Sequence, residues 1–152
     1  MRRTSARKPR DDAALVAVAH GAFNAVGGLW PLVHLRSFEW VFGPKTDVYL
    51  QKTTGGLLFC AGLAQLAAAA DPRGPAQARR VGLGSALTLL AVDLVYVPKG
   101  RIRPTYLLDA AMEAAWIAAW LRCGAGRTRA ARGGPGGRVR PAGAGGRRRP
   151  RP

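Results

Sequence analysis

Cysteine, histidine and acid are all scarce in this chain. Two cysteines in 152 residues exclude a disulfide-built scaffold. The two histidines, His20 and His34, are fourteen positions apart, about 21 Å along a single helix, so they cannot share a metal ion. HExxH, CxxC and GxSxG patterns are all missing, and with them the commonest signatures of metal, redox and acyl-transfer chemistry. Neither a metal nor a cofactor is expected. Acid is short as well: 8 Asp+Glu face 24 Lys+Arg, a net charge of +16. At this length there is room for one domain and no second module.

Charge is also missing from long stretches, and this is the informative absence. Residues 1–12 hold five Lys/Arg and residues 122–152 hold ten Arg with no acid. The segment 13–121 spreads its few charges in short clusters between apolar runs. A soluble helical domain places charge on one face of every helix, and here that alternation is absent. Four runs approach the roughly 20 apolar residues needed to cross a bilayer: 13–35, 48–70, 81–98 and 104–121. Their Ala, Leu and Gly content argues against strands, and a closed barrel would need many more segments. The expected fold is all-α: a four-helix transmembrane bundle with short loops and disordered basic termini.

Punctuation falls between the runs. The stretch Asp71-Pro72-Arg73-Gly74-Pro75 breaks the chain after the second, and Pro98-Lys99-Gly100 after the third. Pro31 should kink or end the first helix. Residues 37–42 read as a short helical turn at the membrane interface, where aromatics such as Trp40 and Tyr49 are favoured. Counting Lys and Arg, residues 1–12, 71–80 and 122–152 carry eighteen, against six on the opposite side (Arg36, Lys45, Lys52, Lys99, Arg101 and Arg103). The positive-inside rule then places both termini in the cytoplasm, in the cell membrane. A basic start followed by an apolar run also suits a cleaved signal peptide, but no small-x-small site follows at the usual distance.

The basic tail, 122–152, is built almost entirely of Gly, Ala, Pro and Arg and has nothing to bury. Anionic lipid headgroups are its natural partner if it has a role beyond setting topology, in addition to the bilayer itself. Nucleic acid is disfavoured, since the tail has no aromatic residue on which a base could stack. An oligomer or a partner membrane protein is compatible with the bundle.

Polar side chains inside the spans are the candidate site. Asp109 and Glu113 lie four apart on one face of the fourth helix, with Trp116 and Trp120 continuing that face. Asp93 lies toward the outer end of the third helix. The loop between these helices is short, so they should be antiparallel neighbours with Asp93 and Asp109 at matching depth. A charged residue at mid-span costs about 2.5–3.5 kcal/mol, whereas a Leu or Ile contributes only about 0.3–0.6 kcal/mol. The fourth span therefore needs partners for its acids. Lys52, Arg101 and Arg103 are expected within reach of Asp93 and Asp109, or else at least one carboxyl is protonated. Two readings follow: these acids line a site for a proton, a cation or a small polar ligand, or they are structural glue. His20 and Asn24 form a second i, i+4 polar pair, expected to hydrogen-bond between helices.

The run NAVGGLWPLVHLRSFEWVFGPKTDVYLQKTTGGLL, followed by LAVDLVYVPKGRIRPTYLLDAAMEAAW, resembles small bacterial multi-pass membrane proteins of unassigned function. Its most specific pieces are FGPKTD, VDLVYV and RIRPTYLLDAAME. In architecture these are similar to DoxX-like four-helix membrane proteins. The resemblance implies the fold and carries no activity to particular residues. The function expected is therefore that of a non-enzymatic membrane subunit or accessory protein, with a small transporter or proton-coupled carrier as the alternative.

Overall fold

A computed structural model describes the backbone of residues 8–71 and 74–132 and the side chains of 12–71 and 74–124. The described residues form five helices and no strand: α1 (Lys8–Val33), α2 (Leu35–Phe42), α3 (Val48–Ala70), α4 (Pro75–Tyr96) and α5 (Tyr106–Arg132). The helices begin and end where local chemistry dictates. Asp47 caps α3, its Oδ1 accepting from Leu50 N at 3.1 Å. Pro75 opens α4, where its missing N–H is harmless. Helix α1 passes through Pro31 and stops two residues later. His34 lies beyond that end and caps α2, its Nδ1 accepting from Ser37 N at 3.2 Å. Gly43 ends α2 with φ +87°, a conformation L side chains rarely adopt.

Several boundaries differ from the sequence reading. Helix α4 starts at Pro75, six residues before the expected span. Helix α5 continues past Leu121 to Arg132, so the first part of the basic tail is helical. Likewise the last residues of the N-terminal arm, from Lys8, belong to α1. The expected disorder of residues 1–7 and 133–152 lies outside the described residues.

Helices α1 and α3 pack most extensively, followed by α4 and α5, while α2 rests on α1. Small residues permit the first contact. A methyl at Gly28 would collide with the backbone of Gly55 and Phe59, and one at Gly62 with the backbone of Gly21 and Ala25. Positions 21, 25 and 28 on α1 thus meet 55, 59 and 62 on α3 at backbone contact, which small residues permit.

The burial pattern is the inverse of a water-soluble bundle. The buried apolar set is mostly alanine (Ala13, Ala17, Ala25, Ala78, Ala86 and Ala110), joined by Phe38 and Trp120. Buried alongside are His20, Asn24, Gln65, Asp93 and Glu113, whereas Leu15, Val26, Leu57 and Leu108 are each about two-thirds exposed. Two helical stretches, Asp12–Val33 and Val48–Ala70, are long and apolar enough to cross a membrane. By that measure the expected four spans reduce to two. Arginines and Asp93 in α4, and two acids among the alanines of α5, dilute those helices.

Because a side chain at Gly28 or Gly62 must push α1 off α3, Gly28→Ala and Gly62→Ala should each destabilise the folded protein by about 1–3 kcal/mol. Gly56→Ala, on the same helix but facing open space, should be neutral. Unfolding of the purified variants in detergent, followed by circular dichroism, checks this ordering.

Candidate functional site

The bundle interior holds two polar layers. The deeper one ties four helices together. Asn24 of α1 donates through Nδ2 to Gln65 Oε1 of α3 and to Ser85 Oγ of α4, both at 3.2 Å. Ser85 in turn donates to the carbonyl of Gly82 at 3.1 Å. One turn away on α1, His20 accepts at Nδ1 from Trp120 Nε1 of α5 at 3.0 Å, and its ring stacks on Trp116 with centroids 4.7 Å apart and planes 9° from parallel. Both members of the sequence pair His20 and Asn24 therefore bond between helices.

This layer determines where the His20 proton resides. Trp120 N–H can only donate, so Nδ1 must be the acceptor and the neutral ring carries its hydrogen on Nε2. That nitrogen faces Glu113 Oε2 at 3.9 Å, too far for a direct hydrogen bond. Space for the arrangement comes from Gly82. A methyl there would sit 2.5 Å from Gln65 Nε2, 2.7 Å from Trp120 Nε1 and 2.9 Å from His20 Nδ1. Gln65, Ser85 and Gly82 carried no site assignment from sequence. Their signal is weak, since a polar or small residue within an apolar helix is equally common at plain packing positions.

The second layer is acidic. Asp93 is 2% exposed and Glu113 fully buried, while Asp109 is half-buried. All three line one half-open cavity of about 830 Å³, walled by α1, α3, α4 and α5 with α2 at one end. Asp93 Oδ2 and both Glu113 oxygens have no hydrogen-bond partner, nor has His20 Nε2. Asp93 and Asp109 are close enough to act on one another electrostatically, as the short connection between their helices requires.

The expected basic partners are not there. Lys52, Arg101 and Arg103 are all exposed, and none comes within 4.0 Å of a carboxylate oxygen of Asp93, Asp109 or Glu113. Burying a cation beside these acids would strip its hydration, whereas the first turn of α3 and the loop before α5 keep it wetted. Arg103 instead lies against Gly43, where a methyl group would meet its Nε at 2.7 Å.

Aromatic rings form the cover. Trp30, Phe38, Phe42 and Tyr106 pack in sequence with centroids 4.8–6.1 Å apart. Lys45 Nζ donates to Tyr106 Oη at 2.5 Å and lies over the Tyr106 and Phe38 rings, 4.7 and 5.5 Å from their centroids. Burial lowers the Lys45 pKa, and neighbouring Glu39 opposes that shift. Lys45 N also donates to Glu39 Oε1 at 2.9 Å, and Thr105 Oγ1 to the carbonyl of Val41 at 3.0 Å, so the α2 end and the start of α5 are stitched together.

Among the described residues no three His, Cys, Asp or Glu side chains converge tightly enough to hold a metal ion. Comparison with known protein families, with characterised proteins and with solved structures finds no match.

Two substitutions probe the deeper layer. Trp120→Phe removes the donor that fixes His20, so nitrogen-15 NMR should show the imidazole passing from the Nε2–H tautomer alone to a mixture. Gly82→Ala drives a methyl into three polar side chains and should cost about 1–3 kcal/mol of stability. An unchanged melting temperature for Gly82→Ala would contradict the arrangement.

Proposed function

We propose that this chain is a four-span integral protein of the cell membrane, with both termini in the cytoplasm and an interior acidic site that takes a positively charged ligand. It acts as a small carrier or binding protein and not as an enzyme. The observation that carries the site is the pair of buried carboxyl groups, Asp93 and Glu113, which face a cavity with no hydrogen-bond partner at three of their oxygens. Glue would pair its charges, because an unpaired buried polar group is costly.

Membrane embedding is supported by the inverted burial. Only 17% of the apolar stretch in α3 is covered by the rest of the protein, where the core helix of a soluble bundle would be mostly buried. Helices α4 and α5 are poor spans alone. Two acids at lipid-facing positions of α5 would cost about 5–7 kcal/mol, and turning them inward toward α1 and α4 removes that penalty. The ends of the bundle fit the charge count, since Arg79 at the start of α4 lies against Gly124 of α5 at the end opposite Lys45 and Arg103. The likeness to DoxX-like four-helix membrane proteins points to the same architecture. On this reading Trp40, 84% exposed on the side of α2 away from buried Phe38, sits in the headgroup layer.

A second reading, an accessory subunit held together by its polar interior, is favoured by the Asn24–Gln65–Ser85 hydrogen bonds. It explains the deeper layer and leaves the acidic layer without a purpose.

Reporter fusions at Ala76 and after Gly124 should register cytoplasm, and those near Pro44 and Gly100 the outside. An outside signal after Gly124 would sink the four-span topology. Asp93→Asn, Asp109→Asn and Glu113→Gln should each yield folded protein whose melting temperature in detergent lies within about 5 °C of the parent, since no partner is lost. Collapse of all three would return the acids to the role of glue.

A further inference from the structure

Resting on the reading of an acidic ligand site, we infer that the cavity binds an organic cation with a bulky apolar body, such as a quaternary or protonated amine or phosphonium. Of the side chains that line it, only Asp93, Asp109 and Glu113 carry charge, and no lysine, arginine or histidine is among them. An anion finds no counter-charge among the lining side chains. An inorganic cation is poorly served, because the carboxylates are spread along the wall and do not converge on one point. A proton alone has no use for about 830 Å³ of mostly apolar space, a volume within the roughly 300–1,000 Å³ range of small-molecule sites.

The apolar part of the wall has the chemistry such a cation requires. Phe23 and Trp116 meet beside Glu113 with ring centroids 5.7 Å apart, and Tyr106 closes the cavity near Asp109. Aromatic faces attract a cation through their quadrupole, most strongly where water is excluded. The ring cover already performs this role with a side chain of the protein, since Lys45 Nζ lies over Phe38 and Tyr106. Below the acids, His20 Nε2 is buried without a hydrogen-bond partner and points at Glu113. Both Glu113 oxygens are without a hydrogen-bond partner, so the carboxylate keeps its accepting capacity for a ligand. A compact ammonium of high hydration would lose more on entering than a cation whose charge is shielded by apolar groups.

Equilibrium binding to the purified full-length chain in detergent tests this, with tetraphenylphosphonium as cation, tetraphenylborate as the same shape with opposite charge, and triphenylphosphine oxide as a neutral relative. The cation should bind saturably at one site per chain, and the other two should not. Asp93→Asn and Glu113→Gln should each weaken cation binding about tenfold or more, whereas Asp12→Asn, an exposed acid at the start of α1, should leave it unchanged. Where Glu113→Gln fails to fold, Asp109→Asn on the more accessible part of the wall carries the same expectation. Equal binding of borate or phosphine oxide would overturn the inference and mark the cavity as a site for apolar chains. Absence of saturable cation binding by the parent overturns it too, and with the neutral variants still folded the wider reading of an acidic site survives that result. Collapse of every neutral variant would defeat the wider reading, while the parent's preference between phosphonium and borate would still decide the ligand class.

Discussion

Acidic side chains on α5 constrain nearly everything else in this bundle. Asp109 and Glu113 lie on one helical face, and a helix whose neighbouring positions are mostly alanine cannot place that face against apolar surroundings without cost. It must turn inward, and the antiparallel contact with α4 then brings Asp93 to the same cavity. The continuation of the face, Trp116 and Trp120, reaches His20 on α1 by stacking and by a hydrogen bond. The orientation of α5 is thereby specified twice, by the burial of its acids and by the attachment of Trp116 and Trp120 to one imidazole.

The glycines do the complementary work. Close backbone approach of α1 and α3 at Gly28, Gly55 and Gly62 leaves no room for side chains along that seam, and the cavity opens beside it, bordered by Gly55 and by residues of α4 and α5. Gly82 admits the Gln65, Trp120 and His20 side chains to one point. In the deeper polar layer Asn24, Gln65, Ser85, His20 and Trp120 are joined by hydrogen bonds between helices, whereas the buried oxygens Asp93 Oδ2, Glu113 Oε1 and Glu113 Oε2 of the acidic layer have none.

At the α2 end of the bundle the same economy recurs. Helix α2 is amphipathic, with Phe38 turned inward onto Trp30 and Trp40 turned outward. Gly43, Lys45 and Thr105 bind its end to the start of α5. The ring cover over the cavity is therefore fastened to the helix that carries two of the three acids.

Composition and spacing already determine the helical class, the breaks near Asp71 and Pro98, the short helix before Pro44, and the set of acids that must face inward, because each follows from local backbone chemistry or from the cost of a charge in apolar surroundings. The i, i+4 pairs His20/Asn24 and Asp109/Glu113 were legible for the same reason: helical spacing puts both members on one face. What tertiary structure alone decided is which partner each polar group meets. Lys52, Arg101 and Arg103 are near Asp93 and Asp109 in sequence depth, yet stay outside, since hydration of a cation outweighs a buried pairing. His20 meets Trp120, a hundred residues away, and Asn24 meets Gln65 and Ser85. The span count differs too: two stretches are long and apolar enough to cross a membrane, because Asp93 and arginines in α4 and two acids in α5 dilute those helices.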